Sequence, residues 1–87
     1  IWKHYSDIAQ DLADDIQSWL DIGIIEGVNP LTMAYAVVGM AMHLGHSYLM
    51  EKKFTREEAI ATLTTMSHLM FESHMTEAGR EALDELK

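Results

Sequence analysis

NPLTMAYAVVGMAMHLGHSYLM, residues 29–50, contains no charged side chain in a chain of 87 residues whose formal net charge is −8. An uncharged stretch of this length is a membrane span, a core helix, or a surface that another protein covers, and the choice decides the fold. Wound at 100° per residue, Leu31, Tyr35, Val38, Met42, Gly45 and Leu49 form one seam, and Met33, Val37, Met40, Leu44 and Ser47 form a second almost opposite. A helix with two apolar sides needs two partners.

The flanking sequence argues against the bilayer. Residues 1–26 carry a net charge of −5, residues 27–50 carry none, and residues 51–87 carry −3. Two acidic, solvated helices therefore flank the oily one, and they need a common core to cover. The stretch itself holds Thr32, His43, His46 and Ser47, and histidine is costly in hydrocarbon. No membrane contact is expected. A basic leader followed by an apolar run and a small-residue cleavage site is not seen, so the expected compartment is the cytoplasm. The start at Ile1-Trp2, without an initiator Met, points to a fragment or a processed product.

Local signals place four helices in one all-α domain over residues 1–87. Ile8, Leu12, Ile16, Trp19, Leu20 and Ile24 recur every three or four residues between polar positions, which predicts a first helix over about 6–25. Ser6 and Asp7 are the expected N-terminal acceptors, and Gly27 sits where a C-cap wants positive φ. Asn29-Pro30 reads as N-cap and first helical position of a second helix over 30–50, with Lys52-Lys53 complementing its negative end. Thr55-Arg56-Glu57-Glu58 matches a capping box and opens a third helix over 56–73. Thr76 caps a short last helix over 77–86, which Gly79 weakens by about 1 kcal/mol relative to Ala.

A chain this short buries only about 60–65% of its unfolded surface. The first and third helices cover one side of the second, and a second copy of the chain is the natural cover for the other. The third helix supports this, because Ile60, Leu63, Ser67 and Met70 make one stripe while Thr62, Met66, Leu69 and Ser73 make another beside it. The expected architecture is three long helices and a short fourth, pairing in a homodimer through a four-helix bundle. Ala34, Ala41 and Gly45 allow close helix approach, and seven methionines supply adaptable packing.

Chemistry finds little to work with. The chain has no cysteine, which excludes disulfides, thiolate metal sites and thiol nucleophiles. Fourteen acidic against six basic side chains repel phosphate backbones, so this chain is not expected to bind nucleic acid itself. His43 and His46 stand at i and i+3, a start for a metal site, but no third ligand accompanies them; His68 and Glu72 at i and i+4 read as a solvated pair. The neighbours Asp14-Asp15 and Glu57-Glu58 diverge on a helix and do not converge on a substrate atom. No phosphate loop, His-Glu-x-x-His or Gly-x-Ser-x-Gly appears, so no enzyme, cofactor or metal is expected.

Trp2, Tyr5 and Trp19 are aromatic candidates for a cavity wall. Taken in order, a helix ending in Gly23 and Gly27, a proline-started apolar helix with Pro30, Ala34 or Ala36 and Gly39, and the link Phe54-Thr55-Arg56-Glu57-Glu58-Ala59 resemble the C-terminal part of a TetR-family transcriptional regulator. The likeness covers most of residues 2–73 and lies in order and spacing. It implies an all-helical effector-binding and dimerisation domain whose long helices pair with those of a second subunit. The family's basic helix-turn-helix is not in this sequence, so DNA contact would belong to an N-terminal domain outside it. A small hydrophobic effector is the implied ligand, and a ligand moves such a domain only by its differential affinity for two arrangements. The residues expected to face it are Tyr5, Leu12, Trp19, Met40 and His43; those expected at the dimer contact are Val38, Met42, Gly45, Leu49, Leu63, Met66 and Met70. The competing expectation is a stand-alone helical oligomer that binds a metal or a hydrophobic ligand through its histidines and methionines.

Overall fold

The computed structural model describes residues 2–87, apart from the side chain of Trp2, so the part expected of Trp2 in a cavity wall lies outside what is described. Four α-helices follow one another: α1 Trp2–Asp21, α2 Pro30–His46, α3 Arg56–Glu72 and α4 Glu77–Glu85. No strand forms among the described residues, and no helix is long and apolar enough to cross a membrane.

The helix starts are side-chain chemistry. Asn29 holds an extended backbone and accepts from the Thr32 amide at 3.0 Å, with Pro30 filling the first position, where no donor is needed. Thr55 accepts from the Glu58 amide at 3.1 Å while the Glu58 carboxylate accepts from the Thr55 amide at 2.9 Å, a complete capping box. Thr76 caps α4 by accepting from the Gly79 amide at 3.0 Å.

Helix α1 differs from the expected 6–25 at both ends. It begins by Trp2 because Tyr5 continues the Ile8–Leu12 period backwards, so Ser6 and Asp7 lie inside the helix rather than capping it. It ends at Asp21 in a Schellman turn: the Gly23 amide donates to Leu20 and the Ile24 amide to Trp19, both at 3.1 Å, with Gly23 at φ +80°. The terminating glycine is thus Gly23. Gly27, also left-handed at φ +68°, turns the chain later, between Ile25 and Asn29. At the far end of α2 the expected helix to residue 50 runs on as a π-helical turn, Ser47–Glu51, and stops where Lys52 takes φ +51°. Ser47 is a buried polar residue in this turn, and Lys53 pairs with the Glu51 carboxylate at 3.3 Å, which holds that carboxyl below its ordinary value.

The core lies mainly between α1 and α2. Ala9, Ala13 and Ile16 from α1 meet Ala34 and Val38 from α2, with Met33 and Ile25 completing the cluster. Three alanines there let the two helices approach closely, and they also limit how much apolar area is removed from water. The third helix joins this core through Met70 and Phe71, the latter standing edge-on to Trp19 with ring centroids 5.5 Å apart.

What holds the second half of the chain to the first is a backbone seam between two loops. Ile25 and Met75 form an antiparallel bridge in which the Glu26 amide donates to His74 at 2.9 Å and the Thr76 amide to Ile24 at 3.0 Å. The Thr76 hydroxyl donates to the Gly23 carbonyl at 2.6 Å, and His74 Nδ1 lies 3.1 Å from the Glu26 carbonyl. Gly79 is buried against this seam. A Cβ there would collide with the Ile24 carbonyl, whereas one at Gly39 would meet nothing within 4 Å. The expected penalty for glycine in α4 is therefore a requirement of close backbone approach.

Two outcomes follow for urea unfolding. Gly79→Ala lowers the unfolding free energy by about 2 kcal/mol, since overpacking outweighs the gain in helix propensity, whereas Gly39→Ala raises it by about 0.5–1 kcal/mol. A stabilised Gly79→Ala would refute the close approach.

A second outcome concerns pH. The Thr55 backbone amide, then its side chain, holds the Glu58 carboxyl below its ordinary value. A depressed folded-state pKa contributes stability that is fully present above the unfolded pKa and is lost as pH falls through the folded one. Thermal unfolding from about pH 5 downward should therefore lose less with acid in Glu58→Gln than in the parent.

Candidate functional site

The antiparallel α1–α2 pair leaves a groove of about 740 Å³ along one side of α2. Tyr5 and Ser6, in the first turns of α1, make one wall. The other wall is a stripe of α2 at spacings of three and four: Tyr35, Val38, Gly39, Met42, His43 and His46. Val38 reaches the floor from the core, at 8% exposure, while Tyr35 is 49% exposed. The absence of a side chain at Gly39 keeps the middle open. A volume of this order matches sites that hold drug-sized molecules, in the range of about 300–1,000 Å³.

The groove collects hydroxyls, imidazoles and apolar side chains. Its polar atoms belong to tyrosine and serine hydroxyls and to imidazoles, with Val38 and Met42 between them, and no Asp, Glu, Lys or Arg lines it. A smaller hollow of about 240 Å³ between α3 and α4 is different: Glu72, Arg80, Asp84 and Lys87 surround it. There Glu72 receives His68 Nε2 at 2.9 Å, the expected i, i+4 pair, and Arg80 at 3.8 Å, which ties α4 to α3 across exposed positions where such pairs contribute little.

The residues expected to face a ligand divide. Tyr5 and His43 line the groove; Leu12 and Trp19 pack on the core cluster, and Met40 is half-buried away from the groove. The residues expected at a subunit contact divide as well. Leu49 and Met66 are exposed, and Gly45 and Leu63 are half-buried. Val38 is buried within the single chain, Met42 is half-buried in the groove wall, and Met70 packs on the core, so Val38 has almost nothing left for a partner to cover. The seam that joined Val38 and Met42 to Leu31, Tyr35 and Leu49 is split because α1 lies over one edge of it. Ser6, Tyr35, Gly39 and His46 are groove residues that were not singled out as ligand-facing. The signal for the α2 members was their shared stripe with His43, interrupted by the one residue without a side chain.

His43 and His46 stand together on the exposed wall, and among the described residues no three His, Asp or Glu side chains gather closely enough to hold a metal ion. No protein-family model, no curated protein and no solved structure matches the chain.

Proposed function

We propose that the chain is a ligand-sensing and dimerisation domain of the kind that TetR-like transcriptional regulators carry, with DNA contacted by a helix-turn-helix outside these 87 residues. The observation that carries the dimer is α3. It is 17 residues long, and not one of them is buried. A helix of this length is marginal in water on its own, and most helical stability comes from packing an apolar face. The α3 outer stripe instead presents Met66 at 48% and Leu69 at 54% exposure, and Leu49, on the turn that ends α2, is 67% exposed.

The dimensions support a partner of matching size. The Cα radius of gyration is 14.6 Å, against about 12 Å for a compact domain of this length. The accessible surface is 6316 Å², roughly 1,100 Å² more than a folded monomer of 9.9 kDa exposes. An interface of standard size removes about 800 Å² from each partner, so a second copy accounts for the excess. Antiparallel α2 and α3 hairpins from two chains, meeting through that stripe, give a four-helix bundle.

The sensing half rests on the groove. It lies on α2, the helix that also leads into α3, so a ligand that spreads or closes α1 against α2 changes the platform on which the dimer helix sits. A ligand shifts that balance by its differential affinity for the two arrangements and by no other means.

Sedimentation equilibrium should find the chain dimeric at low micromolar concentration, and Leu69→Glu should raise the dissociation constant at least tenfold, about 1.4 kcal/mol, by placing a carboxylate in the apolar contact. A monomer in which Leu69→Glu changes nothing sinks the reading.

A further inference from the structure

We propose that the α1–α2 groove takes an uncharged, flat aromatic molecule bearing hydroxyl or carbonyl groups; this deepens, and rests on, the sensing reading above. The chain carries twenty formally charged side chains, and the groove lining contains none of them, whereas the smaller hollow between α3 and α4 is ringed by four. An ion drawn into the groove would lose water and meet no counter-charge, the costly form of burial. A neutral molecule meets no such penalty.

The shape and the polar atoms point the same way. Gly39 leaves space in which an added Cβ would meet nothing within 4 Å, so a planar ring can lie directly against the α2 backbone. Tyr35 on the exposed wall offers a ring face, Met42 a polarisable sulfur and Val38 an apolar floor. The Ser6 and Tyr35 hydroxyls and the imidazoles of His43 and His46 offer hydrogen-bonding groups along the groove. That set suits hydroxyl and carbonyl groups on the rim of a ring. A hydrocarbon would leave those atoms without use.

Three probes of nearly one size, differing in charge, test this: 1-naphthol, 1-naphthoate and 1-naphthylmethylammonium, titrated by calorimetry into the whole chain at about pH 7.5, where the carboxylate and ammonium probes are both ionised. Naphthol should bind at least tenfold more tightly than either ion. Gly39→Leu, whose Cβ would meet nothing within 4 Å, should weaken naphthol at least tenfold while leaving the chain at least as stable as the parent to urea and its sedimentation behaviour unchanged. If an ion binds as tightly as naphthol and Gly39→Leu still abolishes it, the neutral-ligand inference falls and the sensing groove stands. Naphthol binding that is indifferent to Gly39→Leu, or absent for all three probes, removes both the inference and the sensing role, while sedimentation decides the dimer separately. Binding that occurs only as the dimer dissociates assigns the groove to a second copy of the chain and overturns the inference.

Discussion

The structure depends on the place where two loops about fifty residues apart in sequence share backbone hydrogen bonds. Ile24, Ile25 and Glu26 run beside His74, Met75 and Thr76, and Gly79 closes over the Ile24 carbonyl. Without that seam, α3 and α4 would be tied to the α1–α2 pair mainly through the short link at residues 52–55, the edge contact of Phe71 on Trp19 and the packing of Met70. The seam works because each side has been freed from its own helix. The Schellman turn at Gly23 releases Ile24 and Ile25 into extended backbone, and Thr76 uses one hydroxyl twice, accepting from Gly79 and donating to Gly23. Buried backbone groups need partners, and here the loops satisfy one another.

That constraint explains why so small a core suffices within the chain and why it does not suffice for α3. Among the described residues seven apolar side chains are buried, and three are alanines. The α1–α2 pair gains from close contact, but it buries little area per residue, and little is left to cover the third helix. Helix α3 is tied at its C-terminal end by the seam and by Met70 and Phe71, capped at its start by Thr55 and Glu58, and left open along the Met66–Leu69 stripe, the face on which the proposed dimer rests.

Signals confined to a few neighbouring residues were legible in the sequence. Asn29-Pro30, Thr55 with Glu58, and Thr76 each declared a helix start, because a side chain reaching a backbone amide three residues on needs no tertiary context. The all-helical class followed from periodicity. What was not legible depended on contacts between distant segments. Gly23 and Gly27 are both left-handed, and only the pairing of Ile25 with Met75 decides which of them ends α1. Gly79 looked like a weak point in α4 because propensity scales do not record what lies against a residue. For the groove, Tyr5 and His43 were found from residue type, while Trp19 and Leu12 turned inward because α1 rotates that face onto Phe71 and the core.

The seam of α2 that holds Val38, Tyr35 and Met42 is therefore split between core and groove, and the split bears on how the proposed sensing and assembly would coexist in 87 residues. One edge, Ala34 and Val38, is consumed by α1. Beside it, Tyr35, Gly39 and Met42 stay open and share a wall with imidazoles, which a protein partner would have to desolvate and satisfy one by one. Beside Met66 and Leu69 on α3 stand the hydroxyls of Thr62, Thr65 and Ser73 and the carboxylate of Glu72; Ser73 already donates to the Met70 carbonyl at 2.8 Å, and Glu72 is already paired with His68 and Arg80. In the proposed reading a large apolar partner gains where exposed apolar side chains lie together and the polar groups beside them are already engaged, as on the α3 stripe. A small molecule gains most where scattered donors and acceptors can each be met, which is the groove. The proposed division of labour rests on the spacing of polar atoms along two helices, and it would leave the groove and the α3 stripe joined through α2 and the turn that leads into α3.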